Sequence, residues 1–568
     1  MHIDVVPNRG SRPAYLLRES FREGGKVRKH TLANLSALPD EQIFAIRAVL
    51  RGEKLHPADE LFEAIASRPH GHVAAVRVAM ERLGFESLVA SRRCPERDLV
   101  CAMVAARVIA PHTKLATTRW WHTTTLAEEC DVAMADEDGL YAAMDWLLAR
   151  QGAIEKKLAA RHLGEGSLVL YDLSSSYFEG TTCPLAKLGH NRDGKKGKLQ
   201  VNYGLLTDRR GCPVAVSVYD GNTNDAKTLM AQVDKLKKGF GIQTLVLVGD
   251  RGMISQKAID ELREQDQVAW ITALKTGQIR ALMDGGQLQL GLFDEKNLFE
   301  LSHPDFPGER LIACRNPELA KLRSHKRQSL LEATEKELKK VRGMVERGRL
   351  SGRDGIGVRV GKVVNKYKVA KHFALDIEDH RFGFHRLQDH IASEAALDGI
   401  YIIRTSLVKK QMTAADCVRN YKSLAQVERA FRSMKTIDLK IRPIHHHLAD
   451  RVRSHIFLCM LAYYVEWHMR EAWRPLLFAD EDQLAKATRD PVAVAKRSAA
   501  AEAKAASHLL ADGTPAHSFS TLQHELATIV RNTCRAPQAA DGAPTFKVTT
   551  TPNPKQRRAL ELLNAIRL

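Results

Sequence analysis

The chain has 568 residues, with 86 Lys or Arg against 67 Asp or Glu and a formal net charge of +19. One hydrophobic core rarely organises so long a chain, so we expect several domains of roughly 150 residues each. Hydrophobic content of 44% and charged content of 27% are ordinary for a folded protein and exclude a fibrous or disordered class. The basic excess favours a polyanionic partner, with nucleic acid the first candidate.

The first 60 residues predict a small N-terminal β-hairpin element. Two strand-like runs between residues 13 and 36 flank Gly24 and Gly25, and paired glycines take the positive φ angles that a tight hairpin turn requires. Residues 61–165 predict a helical, DNA-binding module. Pro95 can begin one helix there, and apolar residues at 140, 143, 144, 147 and 148 follow the spacing of a buried helical stripe.

Residues 166–275 change to short β-rich runs. We expect strands at 168–171, 199–206, 213–219, 244–248 and 268–274, with a helix at 225–238 between the third and fourth. Three strands, a helix and two more strands is the order of an RNase H-like sheet. The fold class that we predict is α/β multidomain, with an RNase H-like catalytic core.

An insertion domain at 276–398 is expected to interrupt that core. We predict a charged helix at 319–345 and strands at 355–369 and 397–405, which makes the insertion strand-rich. Residues 321–372 hold 16 Lys or Arg and 5 Asp or Glu, an excess of 16 − 5 = 11. This favours phosphate-backbone contacts, although a solvated helix with a basic loop has the same composition. The core resumes at 399–475 with its final helix, and 476–568 form a C-terminal helical appendage.

Nine cysteines form no Cys-x-x-Cys pair, which indicates reduced thiols without a zinc ribbon or disulfide framework. The first residues lack a charged segment followed by an apolar core, and the longest apolar run, 456–467, is too short to span a bilayer. We therefore expect a cytoplasmic, nucleoid-associated protein with no membrane partner.

Three carboxylates occur in contexts that fit one active site. Asp172 and Asp250 each end an apolar run, and Glu428 lies in an amphipathic stretch. A single Asp in such a place more often caps a turn. Two on neighbouring strands repel each other unless a cation or proton lies between them, so the sequence predicts two divalent cations held against a phosphodiester.

The stretch around Glu428 predicts one helix face. Tyr421, Glu428 and Lys435 are spaced by seven residues, close to two helical turns, so all three should point the same way. A surface row on an ordinary amphipathic helix is the alternative.

These residues resemble a known family. The helix is similar to the Tyr-x2-Arg-x3-Glu-x6-Lys signature of bacterial insertion-sequence transposases of the DDE type, with Tyr421, Glu428 and Lys435 at three of its four positions. Leu424 occupies the Arg position, and Lys422 or Arg432 could substitute there. Asp172 and Asp250 resemble the family's first two acidic residues, and the family also carries a strand-rich insert before the third.

The resemblance implies a transposase that binds the terminal inverted repeats of its mobile element and cuts and joins DNA. Asp172, Asp250 and Glu428 would be catalytic and hold two Mg²⁺, for which Mn²⁺ can substitute. Tyr421, Lys435, Arg251, Arg432 and Lys422 would contact double-stranded DNA at the element ends and target. A homodimer on DNA is also implied. The alternatives are an RNase H-like nuclease without strand transfer and a non-catalytic, transposase-derived DNA-binding protein.

Overall fold

A computed structural model describes residues 1–53, 61–286, 288, 289, 291, 293, 296–493, 495–537 and 542–568. The described chain divides into two compact units. The first comprises Met1–Arg68 and Val530–Thr551, and the second comprises Pro69–Ile529 and Pro552–Leu568. This grouping differs from the six consecutive segments expected from the sequence, since part of the C-terminal appendage belongs with the N-terminal unit.

The first unit contains the predicted hairpin. Strands His2–Asn8, Ser11–Glu23 and Lys26–Asn34 form an antiparallel sheet, and the turn between the last two has Gly24 at φ 59° and Gly25 at φ 79°. These are the left-handed angles that made the glycine pair informative.

Among its described residues, the first unit also contains one helix and a second sheet. The helix is Asp40–Leu50. The sheet places Val530–Arg535 between Glu63–Pro69 and Thr545–Thr549. Arg535 donates to the Glu63 carboxylate across 3.0 Å. The sequence did not predict these strands from the chain's last tenth.

The second unit begins with the predicted helical region. Its helices are Gly71–Arg82, Phe85–Val89, Pro95–Ile109, Lys114–Trp120, Leu126–Glu129, Glu137–Leu148 and Gln151–His162, with a 3₁₀ turn at Trp121–Thr123. Pro95 begins its helix as predicted, where its missing N–H costs no hydrogen bond. Four members of the predicted stripe are buried, Leu140, Ala143, Met144 and Leu147, whereas Leu148 is half-buried.

A mixed sheet is the centre of the second unit. We number its strands in chain order as β1 (Ser167–Tyr177), β2 (Gln200–Thr207), β3 (Pro213–Asp220), β4 (Leu245–Val248), β5 (Val268–Ala273), β6 (Leu298–Leu301), β7 (Arg310–Arg315) and β8 (Ile400–Thr405). Their order is β6-β7-β8-β5-β4-β1-β2-β3. β1 pairs in parallel with β4, which pairs in parallel with β5, whereas β2 is antiparallel to β1 and β3. The five predicted strands are therefore confirmed.

Helices cover the sheet and connect its strands. Between β3 and β4 the chain forms a 3₁₀ turn at Asp225–Thr228, the helix Leu229–Asp234 and a π-helical turn at Lys235–Gly239, in place of the single predicted helix at 225–238. The helix Gln256–Arg263 links β4 to β5. Every residue of β2 is buried, because helices pack on the sheet and leave no solvated face there.

The predicted strand-rich insertion is wrong. Residues 276–398 contain helices Thr276–Asp284, Pro317–Glu346, Arg353–Tyr367 and Gln388–Ala395, against the shorter strands β6, β7, Phe373–Ile377 and Phe382–Arg386. The expected helix at 319–345 is present, but 355–369 is helical and not a strand. Ile356, Val360 and Val364 recur every four residues and are buried. This segment therefore packs as a helix against the helix Pro317–Glu346.

The core resumes after β8. Thr413 accepts a hydrogen bond from the Asp416 N–H and so begins the helix Ala414–Lys422. The glutamate helix, Leu424–Arg432, and the long core helix, Ala449–Ala472, follow. The long core helix packs against β3 and against three helices of the N-terminal helical region, Gly71–Arg82, Pro95–Ile109 and Glu137–Leu148, and most of its residues are buried. The remaining helices are Gln483–Thr488, Ala499–Ser507, Phe519–Ala527 and Pro554–Asn564.

Within the described ranges, no single helix combines the length and apolar composition needed to cross a membrane. One bent pair, Pro95–Ile109 with Lys114–Thr123, meets those two criteria jointly across an 86° bend.

Candidate active site

Asp172 lies on β1, opposite Leu205 of β2. Its Oδ1 accepts a hydrogen bond from the Leu173 N–H at 2.8 Å. Burial raises the pKa of this carboxyl to about 7, and the negative charges of Asp250 and Glu428 add to the rise. The Leu173 N–H and the Arg192 guanidinium oppose that rise. The structure therefore brings all three predicted acids into one electrostatic neighbourhood.

The sheet register explains how Asp250 comes close to Asp172. In the parallel pair β1–β4, Leu170 lies opposite Val248. Asp172 and Asp250 each come two residues later, so they occupy matching positions. Asp250 follows the end of β4 and is exposed. Its Oδ1 accepts hydrogen bonds from the N–H groups of Gly252 at 3.0 Å and Met253 at 2.7 Å. This turn fixes the carboxylate at the strand end.

Glu428 is an exposed residue of the glutamate helix. The opposite face of that helix is apolar and holds it on β1. Phe431 there meets the Tyr203 ring of β2 edge-on, with ring centroids 5.7 Å apart. Packing of this apolar face, rather than any bond to the carboxylate, therefore sets where Glu428 lies.

Tyr421 precedes the glutamate helix and is half-buried. Burial raises its pKa to about 12, with smaller contributions from Asp250 and Glu428 and an opposing one from Arg251. The phenol and the exposed Arg251 side chain thus belong to the neighbourhood of the acids.

The site has more acidic than basic side chains, which favours the binding of a cation. Three carboxylates face Arg192 and Arg251, and in the described part of the chain no Lys or Arg forms a salt bridge with Asp172. Carboxylate oxygens are hard ligands of the type that Mg²⁺ and Mn²⁺ prefer. Within the described residues, the ligand atoms of the three acids do not all lie within 4.8 Å of one another. A different group does meet that distance, namely His162, Cys212 and His468.

Lys435 is not placed as the seven-residue spacing predicted. The helix breaks at Ser423 and becomes a π-helical turn at Ser433–Ile437, so the row does not continue to Lys435. The Lys435 ammonium is buried and donates to Asp193 Oδ1 at 3.1 Å. Burial lowers its pKa, and Asp193 opposes that change. The prediction of one continuous face is wrong for this residue.

The two substitutes proposed for the missing Arg lie in different surroundings. Lys422 donates to the Pro491 carbonyl at 2.5 Å and lies 5.8 Å from the Tyr401 ring centre, so it contacts the C-terminal segment. Arg432 is exposed at the end of the glutamate helix.

Two residues of one loop were missed. Arg192 bonds Asp225 at 2.5 Å and lowers the pKa of Asp172. Asp193 accepts from the Tyr177 N–H at 3.0 Å and pairs with Lys435 and Arg442. Their loop has no periodicity, so the only available signal was an Arg-Asp pair between two predicted strands.

Two basic surfaces lie outside this neighbourhood. A groove of about 590 Å³ between the helices Pro317–Glu346 and Arg353–Tyr367 is lined by Lys339, Lys340, Arg347, Arg359, Lys362 and Lys366. We call it the hairpin groove. A larger cleft of about 840 Å³ is lined by seven arginines and by aromatic rings, among them Trp467 and Phe519. Arg470 lies 4.5 Å from the Phe519 ring centre.

Comparison with protein families identifies the class. Residues 167–465 match the transposase DDE domain, and residues 3–61 match the N-terminal domain of IS1634 family transposases. The chain belongs to the DDE-type transposases of insertion sequences.

Comparison with curated proteins found no match. Among solved structures, the chain is similar to the piggyBac transposase in a cryo-EM structure of its synaptic complex with hairpin DNA, at 8% identity and a TM-score of 0.35. That alignment covers 80% of this chain and 76% of the other.

Proposed function

We propose that this transposase binds the terminal inverted repeats of its own element and catalyses metal-dependent DNA cleavage and strand transfer. The single observation that carries the proposal is the parallel register of β1 and β4, which gives Asp172 and Asp250 matching positions. The charges of Asp250 and Glu428 both add to the raised pKa of Asp172. Three acids lie near only two guanidinium groups, Arg192 and Arg251, and no described Lys or Arg forms a salt bridge with Asp172. This arrangement favours an added cation.

The topology supports an RNase H-like core. Its five strands follow the order β3-β2-β1-β4-β5, and β2 alone runs antiparallel to the other four. Asp172 on the central strand and Asp250 after its parallel neighbour occupy the positions that carry carboxylates in that fold. The helix pair Pro317–Glu346 and Arg353–Tyr367 and the strands β6, β7 and β8 are additions to this core.

Asp172, Asp250 and Glu428 would hold the metal, with two Mg²⁺ as the expected ions and Mn²⁺ as a substitute. Bound divalent ions activate an attacking water or 3′ hydroxyl and stabilise the leaving oxygen of the phosphodiester. The turn at Gly252 and Met253 keeps the Asp250 carboxylate aimed from the strand end. Burial keeps the Tyr421 phenol protonated, so that it can donate a hydrogen bond to a phosphate oxygen.

The DNA would lie along exposed cations next to the acids. Arg251 and Arg432 are exposed and suit phosphate contacts. The hairpin groove offers a second basic surface for backbone contacts. Lys435 and Lys422 are assigned a supporting role, because Asp193 and the Pro491 carbonyl already hold them. A homodimer bridging two element ends, acting at the nucleoid in the cytoplasm, completes the proposal.

The test is cleavage of DNA carrying the element's flanking inverted repeats in the presence of Mg²⁺. We expect Asp250→Ala to reduce cleavage about 100- to 1,000-fold, because removing one group that stabilises charge in the transition state costs on that order. Asp260→Ala, an exposed aspartate on the next helix, should cleave like wild type. Equal products from wild type and Asp250→Ala would overturn the catalytic assignment.

A strand-transfer assay separates the proposal from its nearest alternative. A nuclease without joining activity would release cut ends and insert none of them into a target plasmid. A non-catalytic DNA-binding protein would retain the repeats in a mobility shift and cut neither strand.

A further inference from the structure

His162, Cys212 and His468 form a second cluster of metal-type ligands. His162 ends the helix Gln151–His162, Cys212 lies in the turn between β2 and β3, and His468 lies on the long core helix. Cys212 Sγ is 4.0 Å from His162 Nε2 and 3.8 Å from His468 Nε2. The three ligand atoms all lie within 4.8 Å of one another.

We propose that these three residues bind a thiophilic divalent cation, Zn²⁺, at a site separate from the three acids. Imidazole nitrogen and thiolate sulfur are the ligands that tetrahedral zinc prefers. Zinc bonds of about 2.0–2.1 Å to nitrogen and 2.3 Å to sulfur place tetrahedral N and S ligands roughly 3.5 Å apart. The two sulfur-to-nitrogen separations, 4.0 and 3.8 Å, exceed that value by only a few tenths of an ångström, so small side-chain rotations bring the thiol and the imidazoles into range of one ion.

The surroundings favour a metal over a set of ordinary hydrogen bonds. Both Sγ···Nε2 separations are long for hydrogen bonds, and one thiol proton cannot serve both imidazoles. Each imidazole offers one ring nitrogen to the cluster. Zinc binding releases the Cys212 thiol proton, because the thiolate is the form that coordinates the metal.

The local framework holds the cluster and leaves room for a fourth ligand. Asp208 Oδ1 accepts from the N–H groups of Arg210 at 2.8 Å and Cys212 at 2.9 Å, which fixes the turn that carries the thiol. The Tyr464 hydroxyl is 3.1 Å from His162 Nε2, and metal coordination by that nitrogen replaces this hydrogen bond. His162 is half-buried, which gives a cation and one water access from its side.

Such an ion would tie a helix, a strand turn and the long core helix together. It would act as a structural site, because its ligands come from three separate elements of the chain and include none of the three acids. The hard oxygen ligands of Asp172, Asp250 and Glu428 favour Mg²⁺, whereas a sulfur ligand selects zinc.

The test is Co²⁺ titration of the full-length protein after removal of bound metal with a chelator. We expect one equivalent to give a sulfur-to-cobalt charge-transfer band and the visible bands of tetrahedral cobalt, and Zn²⁺ to abolish both. Cys212→Ser should lose the charge-transfer band. Should that variant fold poorly, His162→Gln, at a half-buried helix end, is expected to bind Co²⁺ at least about 10-fold more weakly.

Cys459→Ser is the matched control. Cys459 is a buried cysteine on the same long core helix, 4.0 Å from His455 Nε2, and it is not part of the three-ligand group. This variant and Asp250→Ala should keep the band, which separates this site from the proposed catalytic one. A wild-type protein without the band, or a band that survives Cys212→Ser, would overturn the proposal.

Discussion

Two aspartates near β1, Asp193 and Asp172, have opposite electrostatic surroundings. The Asp193 side chain is 2% exposed and is matched by Lys435, Arg442 and the Tyr177 N–H. Asp172 accepts one backbone hydrogen bond and is approached by two further acids, which help to raise its pKa to about 7. Both are charges withdrawn from water, but only the first is compensated by the protein's own side chains.

The difference teaches how to separate a structural acid from a functional one. A compensated buried carboxylate stabilises the fold only while its cations are present, and losing it leaves those cations unpaired. An uncompensated carboxylate is a cost to the fold that an added ligand removes. The two residues should therefore respond to the same substitution with opposite signs.

Asp193→Asn is expected to have the larger effect on stability. It leaves Lys435 and Arg442 without their anion, and the free energy of unfolding should fall by about 3 kcal/mol. Urea unfolding followed by circular dichroism measures the loss. Adding Lys435→Met to this variant should recover part of it, because one unpaired charge is then removed. A loss below about 0.5 kcal/mol would show that the ion cluster is not structural.

Asp172→Asn is expected to stabilise the metal-free fold. The folded-state pKa of Asp172, about 7, lies above its ordinary value of 3.8, so the folded state binds the proton more tightly. Wild-type stability should therefore fall as pH rises from about 4 to about 7. At pH 8 the neutral amide should add about 1–3 kcal/mol to the free energy of unfolding, allowing for partial solvent exposure.

The pH dependence supplies the control for this variant. At a pH near 4 the wild-type carboxyl is protonated, so the stability difference should vanish. Mg²⁺ should stabilise wild type at pH 8 and have little effect on Asp172→Asn, because the substitution removes one proposed ligand. Thermal unfolding with and without Mg²⁺ measures both. A less stable Asp172→Asn at pH 8 would contradict the contrast with Asp193.

The hairpin groove should give the smallest effect. Arg359→Ala combined with Lys362→Ala removes two exposed cations. We expect DNA affinity to fall several-fold and the slope of log K against log salt to shrink by about 1–2, since each lost phosphate contact releases about one fewer counterion. Filter binding at several salt concentrations measures it. Lys238→Ala with Lys257→Ala, two exposed lysines outside the insertion, should leave the slope unchanged.

The sequence was most informative where local chemistry is decisive. The five core strands, the helix start at Pro95 and the turn at Gly24 and Gly25 all depend on short-range patterns, and the structure has each of them. The coupling of Asp172 with Asp250 was also foreseeable, because parallel strands bring their ends to one edge of a sheet. The three acids themselves were all found from the sequence, although their catalytic role stays a prediction.

The sequence misled where tertiary contacts override local preference. The segment at 355–369 is rich in valine and glycine, which suggests a strand, but buried contacts every fourth residue make it a helix. The prediction for Lys435 was wrong for a similar reason. The Ser433 hydroxyl in the π-helical turn lies 2.6 Å from Asp438 Oδ2 and 2.8 Å from Glu466 Oε1 of the long core helix. The sequence around Ser433 does not indicate this distant partner.

The sheet that joins Glu63–Pro69 to Val530–Arg535 and Thr545–Thr549 has a consequence for biosynthesis. Its first strand is made early in translation, but its middle strand is made only after more than 450 intervening residues. The N-terminal unit therefore starts folding early but receives two of the three strands of this sheet only after residues 69–529 of the larger unit have been made. A chain that ends before residue 530 would lack both of those strands and also the helix Pro554–Asn564 of the larger unit.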